Sequence, residues 1–142
     1  MVAARTVGAQ DGYVVFVDEE LSDVLRMHEE SVLAALAELS GVQIVWFDDF
    51  YDGPIDGLAR WDRREFWFVA VYPIDRDPRR YVLHEVSAAE IEAASALHGQ
   101  LGEYAAAARD GRVTSAQEGA WGQEWGSRPD HRNAQAVGWF IG

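Results

Sequence analysis

Four carboxylates fall within nine residues of this chain: Asp48, Asp49, Asp52 and Asp56, on either side of Gly53-Pro54. Clustered side-chain oxygens can hold a divalent cation, attract a basic partner, or build a turn. Counted from Asp48 as a calcium loop, Asp52, Gly53, Ile55 and Asp56 take suitable positions. Phe50, however, stands where an oxygen is needed, and Ala59 where a bidentate glutamate belongs. Turn chemistry explains Asp52-Gly53-Pro54 more directly. Asp52 can bond its own backbone, Gly53 permits a positive φ, and Pro54 fixes φ. Gly57 follows within a strand-like run, which suggests a bulge or a close approach of backbones.

The apolar run before the cluster has an echo upstream. Val14-Val15-Phe16-Val17-Asp18-Glu19 resembles Ile44-Val45-Trp46-Phe47-Asp48-Asp49 in pattern. Were the two runs parallel neighbours, Asp18 and Asp48 would share the carboxyl edge where open α/β sheets bind ligands. Asp18, Asp48 and Asp49 could then hold Mg²⁺ or Mn²⁺ for chemistry on a phosphorylated small molecule. No glycine-rich phosphate loop accompanies them, and the chain has no lysine. The four histidines, His28, His84, His98 and His131, lack the His-Glu-x-x-His spacing of a zinc site. There is no cysteine, and no serine stands in a Gly-x-Ser-x-Gly elbow. No catalytic motif is complete and no cofactor is implied, so the chain reads as a non-enzyme.

The elements that must position these residues follow from period. Residues 1–11 read as a loose leader, and Tyr13–Val17 as a buried strand. Leu21, Leu25, Val32, Leu36 and Leu39 form a helical stripe over 21–39, with Ser22 as cap and Gly41 as stop. Val42–Phe47 is a second strand, which together predicts a right-handed βαβ unit. Beyond the acidic turn the period becomes two. Ile55–Trp61, Glu65–Tyr72 and Arg80–Val86 predict three antiparallel strands, and the middle one is apolar on both faces. Ser87-Ala88-Ala89-Glu90 is a capping box opening a helix to about Arg109, with Ile91, Ala94, Leu97, Leu101, Tyr104 and Ala108 inward. Residues 112–133, with Trp121 and Trp125 among glycines, read as irregular. Ala134–Ile141 reads as a last strand. The fold class expected over residues 1–142 is a single α+β domain. It has a mixed five- or six-stranded sheet, two long helices mainly on one face, and a Gly/Trp-rich C-terminal segment.

Composition limits the function classes. A chain of 142 residues, 49% hydrophobic and 25% charged, can bury a core without disulfides. No apolar run nears the roughly 18 residues of a membrane span, and Met1–Gln10 has no signal-peptide core; a cytoplasmic location is expected. The net charge is −12. Residues 1–56 carry twelve acids against Arg5 and Arg26, and the remainder twelve acids against ten arginines. Such a surface repels nucleic acid and favours a basic protein partner.

Tyr51-Asp52-Gly53-Pro54-Ile55-x-Gly57, with the strand Glu65-Phe66-Trp67-Phe68 after it, resembles a pattern in small uncharacterised bacterial proteins. The resemblance runs to about Glu85. It implies that turn and aromatic hairpin form one module, and it brings no catalytic residue.

The reading with most support is a non-catalytic protein-binding or inhibitor module. Its binding residues would be Asp48, Asp49, Tyr51, Asp52 and Asp56, with Asp18 and Glu19 nearby. The metal-dependent enzyme is the alternative, and a structural homo-oligomeric subunit a third. A homodimer through the tail side is compatible with the two-faced central strand.

Overall fold

The computed structural model describes residues 5–7, 14–16, 27–75 and 77–142. Its frame is an antiparallel meander. β4 (Gln43–Phe50), β5 (Pro54–Trp61), β6 (Arg64–Tyr72), β7 (Arg80–His84) and β8 (Ala136–Ile141) lie side by side in chain order. A short β3 (His28–Glu29) adds parallel to β6 at Val71 and Tyr72, making six strands. Two helices follow β7: α1 (Ala88–Arg109) and α2 (Ser115–Gly126). β1 (Arg5–Val7) and β2 (Val14–Phe16) form a separate antiparallel pair. The class is α+β. Among the described residues no helix is long and apolar enough to cross a membrane.

Burial follows the pleat. Ile55, Ala59, Phe66, Phe68, Ala70, Tyr81, Leu83 and Phe140 form one cluster with Met27 and Ile74. Tyr81 stacks on Phe140, and Phe68 meets both rings edge-on. Leu58, Trp67, Val69 and Val82 alternate with these residues and are buried too. The central strand is thus covered on both faces, as its two-sided apolar pattern demands.

The hairpin modules match their expected spans closely. The β5–β6 connection is a two-residue turn, with Asp62 at φ 51° and Arg63 at φ 65°. Positive φ at both centres is what a type I′ hairpin requires, although neither residue is glycine. At Gly57 the backbones come close: a Cβ there would collide with the Trp46 carbonyl oxygen and lie 2.6 Å from Phe47 Cα. Arg79 braces the acidic turn by donating to the carbonyls of Ile74, Pro54 and Asp52, and Tyr81 Oη donates to Pro54 O at 2.9 Å.

Three expectations are overturned. The helix over 21–39 does not hold in its described part. Residues 28–29 are β3, Glu30–Ala35 is a 3₁₀ turn, and Leu36 is extended (φ −122°, ψ 148°). Sheet edges compete for this backbone and win. β3 takes up the end of β6, and Ala37–Leu39 lies along the outer edge of β8, where Leu39 N donates to Trp139 O at 2.7 Å and Trp139 N to Ala37 O at 3.0 Å. Unpaired strand edges need such partners, and this outweighs a helical period. Among the described residues the βαβ unit is also absent: β2 pairs with β1, and β4 pairs antiparallel with β5. The segment 112–133 contains α2, so it is not irregular. Thr114 and Gln117 form a reciprocal capping box that opens it. Of the leader, Arg5–Val7 is a strand, and its other residues lie outside the described ones, as do Leu21 and Leu25 of the helical stripe.

An L-residue held at positive φ costs about 1–2 kcal/mol. Arg63→Gly should therefore raise unfolding stability by about 1 kcal/mol, net of the entropy glycine adds to the unfolded chain. Urea denaturation checks this, with an unchanged slope expected.

Candidate functional site

The acidic cluster is held from four directions. On β4, a register shift between Phe47 and Asp49 breaks the pleat, opposite Gly57. Strict alternation would send one of two successive residues to solvent; the bulge lets both Asp48 and Asp49 face inward. Both are buried, at 5% and 3% exposure. Asp56 on β5 is the cross-strand neighbour of Asp49 and is buried as well; its Oδ1 accepts from Asp49 N at 3.2 Å.

The cation that meets them is Arg128, just beyond α2. Its Nη1 lies 3.4 Å from Asp48 Oδ2 and 3.5 Å from Asp56 Oδ2, and its Nη2 lies 3.1 Å from Asp49 Oδ2. Its Nε donates to Trp125 O at 3.3 Å, and the guanidinium sits 4.0 Å above the Trp125 ring. This is a cation–π seat as well as an ion-pair site. α1 supplies the fourth contact. His98 Nδ1 is 2.9 Å from Asp48 Oδ1, and the imidazole stacks on Trp46 with centroids 4.1 Å apart and planes 11° apart. Asp48 thus bridges a guanidinium and an imidazole.

Three carboxylates around one guanidinium leave excess negative charge in a dry place. Burial raises the pKa of Asp49 to about 8, with help from the neighbouring Asp56 and in spite of Arg128. Its Oδ1 has no hydrogen-bond partner among the described residues, which a neutral carboxyl tolerates far better than a carboxylate. Burial and Asp56 also raise Asp48, opposed by Arg128 and His98. For Arg128, burial works to lower the pKa, but the three acids outweigh it and hold the group firmly charged.

The remaining sequence-derived residues fare differently. Tyr51 is half-buried against the main core cluster. Asp52 is exposed, in the left-handed region at φ 53°. Asp18 and Glu19 lie outside the described residues. Three of the proposed binding acids are therefore interior and ion-paired, and one is at the surface. Sequence reasoning missed Arg128, whose partners lie 72 to 80 residues away in the chain, and His98 as a partner of Asp48. The capping box Thr114-x-x-Gln117 was a legible sign of the helix that delivers Arg128. Nothing local marked the pairing itself.

Arg128 occupies the space among the three acids where a cation would have to sit. Among the described residues, no group of three His, Asp or Glu side chains is arranged to hold a metal ion. A groove of about 500 Å³ runs beside the cluster between α1 and the end of α2, lined by Ala93, Leu97, Gln100, Glu124, Arg128 and His131. Comparison with protein families, with curated proteins and with solved structures finds no match.

Removing one partner of a buried ion-pair network strands the others, at about 3–5 kcal/mol. Arg128→Met should lower stability by that order in urea unfolding at neutral pH, with a smaller loss in acid, where the carboxyls are neutral. Asp49→Asn should do the opposite at high pH. Because the folded pKa of Asp49 lies above its unfolded value, its contribution is full below about pH 4 and lost as pH rises through about 8. The amide cannot ionise and can still accept from Arg128. Between about pH 5 and 9 the urea midpoint of Asp49→Asn should accordingly fall less than that of the wild type.

Proposed function

We propose that this protein is a non-catalytic binding module that adds an extended segment of a basic partner protein to its free sheet edge. The observation that carries this reading is the state of β4. It ends the sheet, and no strand pairs with its outer side among the described residues. Val45 and Phe47 on it are 43% and 39% exposed, and Phe47 and Phe50 form an aromatic contact at 5.3 Å. Exposed apolar side chains on an unpaired edge are the usual equipment for strand addition. β4 offers the partner uncharged side chains in Gln43, Val45 and Phe47, and the exposed Asp52 stands at its far end. The net charge of −12 favours encounter with a basic chain.

The metal-dependent alternative, with Asp18, Asp48 and Asp49 as ligands, has to displace Arg128 from two of its acids. A second copy of this chain is the other occupant that β4 would accept.

A photoreactive benzophenone side chain in place of Phe47 should crosslink a basic polypeptide in the native host, and raised salt should lower the yield. The same group at exposed Asp110 serves as the control. Adding Val45→Lys should cut the adduct at least several-fold; an adduct indifferent to that change, or identical from both positions, would sink the proposal. An adduct of twice the chain mass, with a dimer in light scattering, would replace the foreign partner by a second copy. Millimolar Mg²⁺ or Mn²⁺ should leave the melting midpoint unchanged, since a native-state metal site must raise it.

A further inference from the structure

A second polar cluster, built from histidine, joins β3 to the end of β7. His28 on β3 and His84 at the end of β7 face each other with their Nε2 atoms 2.7 Å apart, their rings stacked at 4.8 Å and 20°. The partners settle which nitrogen holds which proton. His84 Nδ1 lies 3.0 Å from Ala134 O. A carbonyl only accepts, so Nδ1 carries hydrogen, and in the neutral ring Nε2 must then be the acceptor. His28 therefore donates through its Nε2–H.

Besides Glu29 and Glu85, the chain neighbours of the two histidines, the following charges bear on a further proton. Arg132 lies beside His28, donating through Nη1 to Met27 O at 3.0 Å, and it is itself held by Asp130 at 2.8 Å. His131, next in the chain, is buried edge-on against Trp67 and lies 3.7 Å from Glu90. Arg80 reaches Glu30, one residue past β3, at 3.4 Å. Asp130 is the acid that favours a charged pair, and it is already engaged by Arg132. A proton on His28 places a cation beside Arg132. A proton on His84 Nε2 removes the acceptor and sets two N–H groups against each other. β3 pairs with β6 over two residues, between Met27, whose carbonyl accepts from Arg132, and Glu30, which pairs with Arg80.

We propose that the His28–His84 pair is an acid-sensitive latch, which holds β3 on the sheet while both rings are neutral and releases it when they take up protons. Burial, and for His28 the neighbouring His84 and Arg132, lower both pKa values, that of His28 to about 4. A released histidine titrates near 6.5. As pH falls from about 6.5 towards 4, the open form binds protons that the closed form refuses, and the equilibrium moves to the open form.

Amide hydrogen exchange on the full chain tests this. Between pH 7.5 and 5, the protection factors of His28 and Glu29 should fall about thirty-fold from His28 alone, while those of Ile55–Ala59 change several-fold less. In His28→Gln, whose amide can still donate to His84 Nε2, most of that fall should disappear. Equal loss at both places, constant protection at residues 28 and 29, or an undiminished fall in the variant would overturn the latch. Should His28→Gln not fold, imidazole nitrogen shifts of the wild type decide instead. Nδ1–H on His84 with Nε2–H on His28 at neutral pH, and proton uptake coincident with loss of protection, support it; any other tautomer pair overturns it.

Discussion

One guanidinium buried among three carboxylates is the constraint on which this structure turns. Arg128 can stay in the interior only because Asp48, Asp49 and Asp56 surround it, and those acids are tolerable there only because Arg128 is present and Asp49 holds its proton. Breaking such a network is costly, whereas its net worth against an apolar core is small. Its effect lies in arrangement. It requires the bulge that turns two successive aspartates inward, fixes the end of α2 over the sheet, and gives His98 on α1 a partner. The β4–β5 hairpin, α1 and the end of α2 are tied at one point.

The same network directs where function can lie. A metal or basic ligand at these carboxylates would have to displace Arg128, whereas the net charge of −12 can act on a partner at long range. In the proposed binding reading, recognition falls to what the interior leaves uncovered. Ala37–Leu39 covers the outer edge of β8, whose Gly138 has no room for a Cβ beside Leu39 and Ala37, and β3 adds to the end of β6. Among the described residues no strand pairs with the outer side of β4, where Val45 and Phe47 are exposed. The two polar clusters differ in their tolerance of acid. Asp49 is stable as the neutral acid, whereas the histidine pair depends on remaining neutral at both rings.

Where local chemistry suffices, the chain was legible. Period two marked β5, β6 and β7, Ala134–Ile141 read as the last strand, the Ser87–Glu90 box marked the start of α1, and its half-buried stripe includes Ile91, Ala94, Leu97, Leu101, Tyr104 and Ala108. Gly57 marked a close approach of backbones. α2 was missed because Gly119, Gly122 and Gly126 lower helix propensity by about 1 kcal/mol each. A capping box, the packing of Trp121 on Tyr104 and the seat of Arg128 on Trp125 offset that cost.

The sequence by itself determined the hairpin module, the acidic turn and the first long helix, because periodicity, caps and turn residues act over a few neighbours. Only the tertiary structure decided the rest. Residues 28–39 gave up a helical period because two strand edges needed hydrogen-bond partners. Asp48, Asp49 and Asp56 became interior because a bulge turned them inward towards an arginine 72 to 80 residues away. Burial and ion pairing join groups that are distant in the chain, and no local pattern of residues specifies which groups will meet.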